Sequence, residues 1–266
     1  MHPGGRARDN QPGGAARVRV GQVTTFALVH GAYHGGWCWE PLGKELEALG
    51  YRWVAPDLPC DDPTARVADY AAAVIAAVDA ASPPDGEDLV VVGHSLGGLT
   101  APVVAAARPT RRLVFLAAIV PEPGRAAVSA TYPPEMSARW SELSARRITG
   151  NGASGLLPDH AVEIFFHDCE ADVARWAASR LRPQTFSLLQ DPSPLSALPD
   201  VEYRYIACAD DRTLAIGWQL DAARRLGVDP VVLAGGHSPF LARPREVALI
   251  LADGLAARGY LGRGRQ

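Results

Sequence analysis

Three residue types, set far apart in this chain, could together perform nucleophilic chemistry. Ser95 stands at the centre of Gly93-His94-Ser95-Leu96-Gly97, a Gly-x-Ser-x-Gly pattern. Before it runs Leu89-Val90-Val91-Val92, apolar and rich in β-branched Val; after it, Leu99 to Ala107 suits a helix. In a strand, sharp turn and helix of this kind, the turn holds the Ser backbone in a strained conformation, so that Oγ projects from the top of a sheet. Gly93 and Gly97 are the small flanking residues the turn needs, because strand and helix pass almost in contact there. Outside that context the pattern would mark only a Gly-rich structural turn.

A Ser hydroxyl alone is a weak nucleophile. It needs a base, and the base needs an orienting acid. His237 suits the base, since it lies in the Gly-rich loop Ala234 to Phe240, after the late apolar run Pro230 to Leu233. The acid lies in Cys208-Ala209-Asp210-Asp211-Arg212, at the end of another late run. The chain order Ser, acid, His fits the same strand-end logic. Spacing leaves Asp210 and Asp211 both open, and the residue not used is expected to bond local backbone in the turn. An oxyanion would take two backbone donors. These are the N–H of Leu96, directly after the Ser, and that of Ala32 in the loop His30-Gly31-Ala32 after an early strand.

Other conspicuous side chains read as structural. His30 and His34 are expected to hold the Ala32 loop by hydrogen bonds, and His94 to pack behind the turn. His167-Asp168-Cys169 are consecutive and would point three ways on a helix, unlike the spaced pairs of zinc ligands. No metal and no cofactor is expected. Trp37, Trp39 and Trp176 read as packing residues. Arg180 and Arg182 read as solvated or paired with acidic residues, with a substrate carboxylate as the alternative partner.

The positioning elements follow from hydrophobic pattern. Thr25 to Val29, Tyr51 to Ala55, the run before Ser95 and Leu113 to Ala118 read as strands. Helices fall between them: one running to Leu49, with Pro41 in its first turn and Gly50 at its end, and one from Val67 to Ala81. Ser82 to Gly86 breaks the chain, and Val18 to Val23 could add a short edge strand. The alternation predicts an α/β fold, doubly wound around a mostly parallel sheet covered on both faces.

From Pro121-Glu122-Pro123-Gly124 to about Asp200 no clear strand is legible. Helical stretches Pro134 to Arg147, Pro158 to Asp168 and Glu170 to Leu181 read as an inserted helical cap. Tyr132, Met136, Trp140, Phe165 and Phe166 could line an apolar pocket within it. Alternation resumes with strands Tyr203 to Ala207 and Pro230 to Leu233 and helices Leu214 to Leu226 and Pro244 to Ala257. The expected division is a disordered tail (1–22), the first part of the core (23–122), the cap (123–200) and the second part of the core (201–266).

Composition excludes several classes. Of 266 residues, 48% are hydrophobic and 21% charged, an ordinary globular balance ample for a buried core. The net charge is −3, the basic residues are scattered, and Lys44 is the only Lys, so no nucleic-acid partner is expected. Four widely spaced Cys, without a Cys-x-x-Cys pair, read as reduced thiols of a cytoplasmic protein. The first sixteen residues lack the apolar segment of a secretory signal, and no run approaches the roughly 18 apolar residues of a membrane span.

Together these residues resemble the α/β-hydrolase superfamily, over nearly the whole chain after about residue 23. His30-Gly31-Ala32-Tyr33-His34-Gly35-Gly36-Trp37-Cys38-Trp39 looks like the plant methylesterase and hydroxynitrile lyase branch and its bacterial relatives. In that branch the acid is the second Asp of a turn like Ala209-Asp210-Asp211-Arg212, so the resemblance implies Asp211. The lyases carry Thr where this chain has Gly31 and Lys where it has Ser238. Lacking both, the chain resembles the esterases. Epoxide hydrolases and haloalkane dehalogenases place Asp at the turn apex, which Ser95 argues against. The resemblance implies an α/β-hydrolase fold and a carboxylesterase acting on a small apolar ester through an acyl-enzyme, with Ser95, His237 and Asp211 as triad. The alternatives are a C–C lyase, a lactone or thioester hydrolase, and a small-molecule-binding protein with little turnover. Oligomeric state is open, a homodimer being one option.

Overall fold

The continuous apolar runs become central strands because helices cover both faces of the sheet. The computed structural model describes residues 23–81, 88–127, 146–148, 150 and 152–255. The expected tail, the strand from Val18, the break at 82–86, most of the helix Pro134 to Arg147, and Tyr132, Met136 and Trp140 lie outside the described residues. The strands are β1 (Thr25–Val29), β2 (Arg52–Val54), β3 (Leu89–His94), β4 (Thr110–Leu116), β5 (Arg146–Ile148), β6 (Ser154–Leu156), β7 (Glu202–Cys208) and β8 (Val231–Leu233). The α-helices are α1 (Glu40–Ala48), α2 (Val67–Ala81), α3 (Ala101–Ala107), α4 (Pro158–Phe165), α5 (Ala171–Ser179), α6 (Ile216–Leu226), α7 (Pro239–Ala242) and α8 (Pro244–Ala252).

Six strands form one parallel sheet in the order β2-β1-β3-β4-β7-β8. Alternate residues face opposite layers, as the two-residue period of a strand requires. Ala27, Val29, Val91 and Phe115 pack in one cluster with Val74 of α2, Val104 of α3 and Ala222 of α6. Phe26, Leu28, Val92 and Val114 pack in the other with Leu42 of α1 and Val247 of α8. Pro41 opens α1, and Gly50 follows it at φ +85, as expected.

β1 lies between β2 and β3, so the strand order reverses beside it. Open α/β sheets gather their sites at the carboxyl ends of strands at such a point. The loop from His30 leaves β1 there, and the turn with Ser95 leaves β3 beside it. That turn is a 3-10 segment, Ser95–Leu99, before α3 begins.

The stretch read as strand-free is corrected by the structure. Arg146 and Arg147 lie in β5, not at the end of a helix, and β5 pairs antiparallel with β6. Three-residue strands carry too little alternation to be legible. A distant partner supports the hairpin: Ser154 N–H donates to the Gln184 carbonyl at 2.8 Å and Gln184 N–H to the Ser154 carbonyl at 2.9 Å. The last helix also differs. Pro244 starts α8 afresh after the short α7, and α8 stops at Ala252, before Gly254 at φ +70. Among the described residues no helix is long and apolar enough to cross a membrane.

At Gly97, in the turn after Ser95, a Cβ would lie 2.5 Å from the Val29 carbonyl oxygen and 2.6 Å from that of His30. Backbone on both sides cannot yield. Gly97→Ala is expected to destabilise by about 1–3 kcal/mol, the usual cost of overpacking. Gly217→Ala, in helix α6 where a Cβ would meet nothing within 4 Å, should be neutral or stabilising. Urea unfolding of both variants checks the contrast.

Candidate active site

Ser95 sits at φ +51, a left-handed backbone that a non-Gly residue adopts only when its surroundings enforce it. Its carbonyl accepts the Ile119 N–H at 3.0 Å, which ties the turn to the chain after β4. Gly31 lies against it: a Cβ there would stand 2.8 Å from Ser95 Cβ and 2.9 Å from His94 Nδ1. The loop carrying Ala32 and the turn carrying Ser95 and Leu96 therefore abut.

Two histidines hold that loop, as expected. His30 Nε2 accepts the Leu58 N–H at 3.1 Å, which leaves the proton on Nδ1 to donate to the Gly31 carbonyl at 2.9 Å. His34 Nδ1 donates to the Ala32 carbonyl at 2.8 Å. Burial pushes His30 down to about 4 and His34 down to about 3, so both are neutral near neutral pH. Tyr33, between them, sits at φ +65. Its N–H donates to Gln184 Oε1 at 3.4 Å, its carbonyl accepts the Arg182 N–H at 2.7 Å, and its hydroxyl meets Ser154 Oγ at 3.0 Å.

The loops after β7 and β8 are zipped together. Asp210 N–H donates to the Gly235 carbonyl at 2.9 Å, and its Oδ2 accepts the Gly235 N–H at 2.9 Å. This leaves Asp211 to face the imidazole. Asp211 Oδ2 lies 2.7 Å from His237 Nδ1, with both side chains at most 1% exposed. Asp211 Oδ1 accepts the N–H groups of Thr213 (2.7 Å) and Leu214 (2.9 Å). Asp210 was expected to bond its own turn; instead its carboxylate bonds the backbone of the other loop, at Gly235, while Asp211 faces the imidazole.

His94 does more than pack. Its Nε2 donates to the His237 carbonyl at 2.9 Å, and the two rings lie 4.6 Å apart. The residue next to Ser95 therefore grips the residue that faces Asp211. Among the described residues His237 Nε2 has no hydrogen-bond partner, so its bond to Ser95 Oγ is not made here. Catalytic hydrogen bonds are often long without substrate and tighten once it binds. Phe165, at the end of α4, stacks on the imidazole at 5.6 Å and 27°.

The sequence reading missed Gln219. It is fully buried on α6 and presents Nε2 to Asp211 Oδ2 at 3.0 Å, while its Oε1 accepts the Cys208 N–H at 3.0 Å. The available signal was an amide on the same face as Ala222 and Ala223, where the helix is otherwise apolar. Asp168 belongs to no metal-holding cluster among the described residues. Instead it accepts the Gly236 N–H at 2.8 Å. Arg182 bonds the Leu58 carbonyl (3.1 Å) and Asp61 (3.4 Å), and Arg180 lies 4.8 Å over the Trp176 ring. Trp37 packs edge-on against Trp176, Trp39 is fully buried, and all four Cys are free.

A strained Ser after a central strand, and a buried His–Asp pair on the last two strand-end loops, define a chain of the α/β-hydrolase class. Residues 26–248 match the alpha/beta hydrolase family, and the chain belongs to it. It is 29% identical to polyneuridine aldehyde esterase of Rauvolfia serpentina over 261 residues, covering 87% of this chain and 96% of that protein. It is 29% identical to a carbendazim hydrolyzing esterase of Nocardioides sp. (strain SG-4G) over 264 residues, covering 89% and 100%. The crystal structure of a pyrethroid hydrolase from Sphingobium faniae superposes with a TM-score of 0.70 at 25% identity, covering 87% and 97%.

The neutral histidines predict acid sensitivity. Both have folded-state values below their ordinary 6.5, so the unfolded chain binds protons that the folded chain refuses. Their stabilising contribution is complete above about pH 6.5 and declines as pH falls, down to about 4 for His30 and about 3 for His34. Urea midpoints measured in steps from about pH 7.5 to 4 should fall through this window, and His34→Phe should flatten the decline.

Proposed function

We propose that this chain is a serine carboxylesterase that cleaves a small apolar ester through an acyl-enzyme. The observation that carries the reading is the buried Asp211–His237 pair, 2.7 Å apart, with the His237 loop tied by His94 to the Ser95 turn. Two similar proteins named as esterases support it.

In this reading His237 takes the Ser95 proton as Oγ attacks the ester carbonyl. Asp211 holds the imidazole and stabilises its cation without itself taking the proton. The N–H groups of Ala32 and Leu96 receive the oxyanion, each donor contributing about 3–4 kcal/mol to the transition state. The proton on His237 passes to the leaving alkoxide, and an alcohol departs. Water, deprotonated by His237, then releases the acid and restores the Ser. Every step uses the chain's own groups.

Position 31 supports an esterase over a C–C lyase. A side chain there would press on Ser95 and His94, so no second hydroxyl is set beside the nucleophile. The residue after His237 is Ser238, which is fully buried and carries no cation. Lactone or thioester hydrolysis would use the same groups, and a substrate panel decides among them. The segment between β4 and β7 acts as the cap, with Phe165 against the imidazole and Ser95 only 8% exposed. Four free thiols fit a cytoplasmic protein.

Ser95→Ala should lower p-nitrophenyl acetate turnover by roughly a thousandfold or more without changing the thermal melt, and a fluorophosphonate probe should label wild type at Ser95 alone. An undiminished rate in the variant would end the proposal. Gln219→Leu keeps the volume but removes a donor from Asp211; kcat should drop roughly tenfold, read in the same assay across acyl chains of graded length.

A further inference from the structure

The loop of His237 is held from the segment between β4 and β7 as well as from the sheet ends. Asp168 lies in the turn between α4 and α5, with its side chain 13% exposed. Its Oδ2 accepts two donors, the Gly236 N–H at 2.8 Å and Arg243 Nη1 at 2.6 Å. Arg243 comes from the core, immediately before α8. The pair lies flush on the backbone. A Cβ on Gly235 would strike the Arg243 guanidinium and Asp168 Oδ2, and one on Gly236 would lie 2.6 Å from Asp168 Oδ1. Gly235 itself sits at φ +112, open to glycine and strained for other residues. The two glycines ahead of His237 are thus what let an ion pair reach the main chain.

Burial alone would raise the Asp168 carboxyl, but the Gly236 N–H and Arg243 hold it below the ordinary carboxylate value. It therefore bonds Gly236 as an anion, and charge-assisted bonds are short and directional. Three residues earlier in the same turn region, Phe165 stacks on the imidazole. One short stretch of the inserted segment contacts both the ring of His237 and the backbone that carries it.

We infer that Asp168, backed by Arg243, is a positioning residue for His237, aligning the base only while the α4–α5 turn is docked on the core. The inference rests on the esterase reading, in which His237 is the base. A carboxylate drawn back from Gly236 frees the peptide N–H directly before His237. A base displaced by about 1 Å can lose up to a hundredfold in rate. Asp168 touches neither substrate nor reacting atoms, so its effect passes through the histidine.

The test compares wild type with Asp168→Ala, Asp168→Asn, Arg243→Met and Arg243→Lys, each full length. Three readouts are taken: kcat and KM on p-nitrophenyl acetate, the rate of fluorophosphonate labelling, and the melting temperature. Asp168→Ala and Arg243→Met should lower kcat and labelling rate roughly tenfold or more while KM stays within about twofold. Arg243→Lys keeps a cationic donor and should recover most of the loss. The Asp168→Ala, Arg243→Met double variant should be little worse than either single one, because the two act as a unit. Asp168→Asn keeps the volume, removes the charge and supplies the same comparison where Ala does not fold. Variants that melt earlier yet keep the kcat and labelling rate of wild type would overturn the inference, leaving a tether only. A wild type that neither labels nor hydrolyses would instead overturn the esterase reading on which it rests.

Discussion

The site depends on one backbone constraint, the left-handed conformation of Ser95 at φ +51. A conformation of this kind costs of order 1–3 kcal/mol and persists only where the surroundings leave no alternative. Here they leave none. Behind the turn, Gly97 runs against the carbonyls that end β1, and ahead of it the Ser95 carbonyl is held by Ile119 after β4. Three neighbouring strands therefore clamp one residue. The parallel sheet, buried on both faces, is the rigid body that makes the clamp possible.

Asp211 and His237 are brought beside that residue's turn by a different device. The loops after β7 and β8 are joined to each other and then to the turn. Asp210 zips the loop of Asp211 to that of His237, and His94 closes the circuit from the turn itself. Adjacent carboxylates thereby have separate work. The first fixes backbone, and the second receives the Thr213, Leu214 and Gln219 donors and faces the imidazole. So many donors on one buried carboxylate offset the cost of removing it from water.

Burial around the site also sets protonation. His30 and His34 are kept neutral by burial, and their ring nitrogens hold the loop that carries Ala32. The same neutrality makes them a liability in acid, where the unfolded chain takes protons that the folded chain excludes. Tyr33, strained at φ +65 between them, is tied through Gln184 and Ser154 to the segment between β4 and β7. That segment thus touches both sides of the cleft: the Ala32 loop through Tyr33, and the His237 loop through Phe165 and Asp168.

The sequence by itself determined the parallel sheet, the turn at Ser95 and the strand-end positions of Asp211 and His237. Continuous apolar runs, small residues around Ser95 and Gly-rich strand ends are local facts, set by sterics and burial over a few residues. What only the tertiary structure decided is whatever joins distant segments. The grip of His94 on His237, Gln219 behind the carboxylate and the β5–β6 hairpin were not legible, and spacing left Asp210 and Asp211 undivided until the resemblance pointed to Asp211. Each depends on a partner outside its own local run, 8 positions away for Gln219 to Asp211 and 143 for His94 to His237. Hydrophobic periodicity reports which face of an element is buried, and is silent on which polar atom awaits it there.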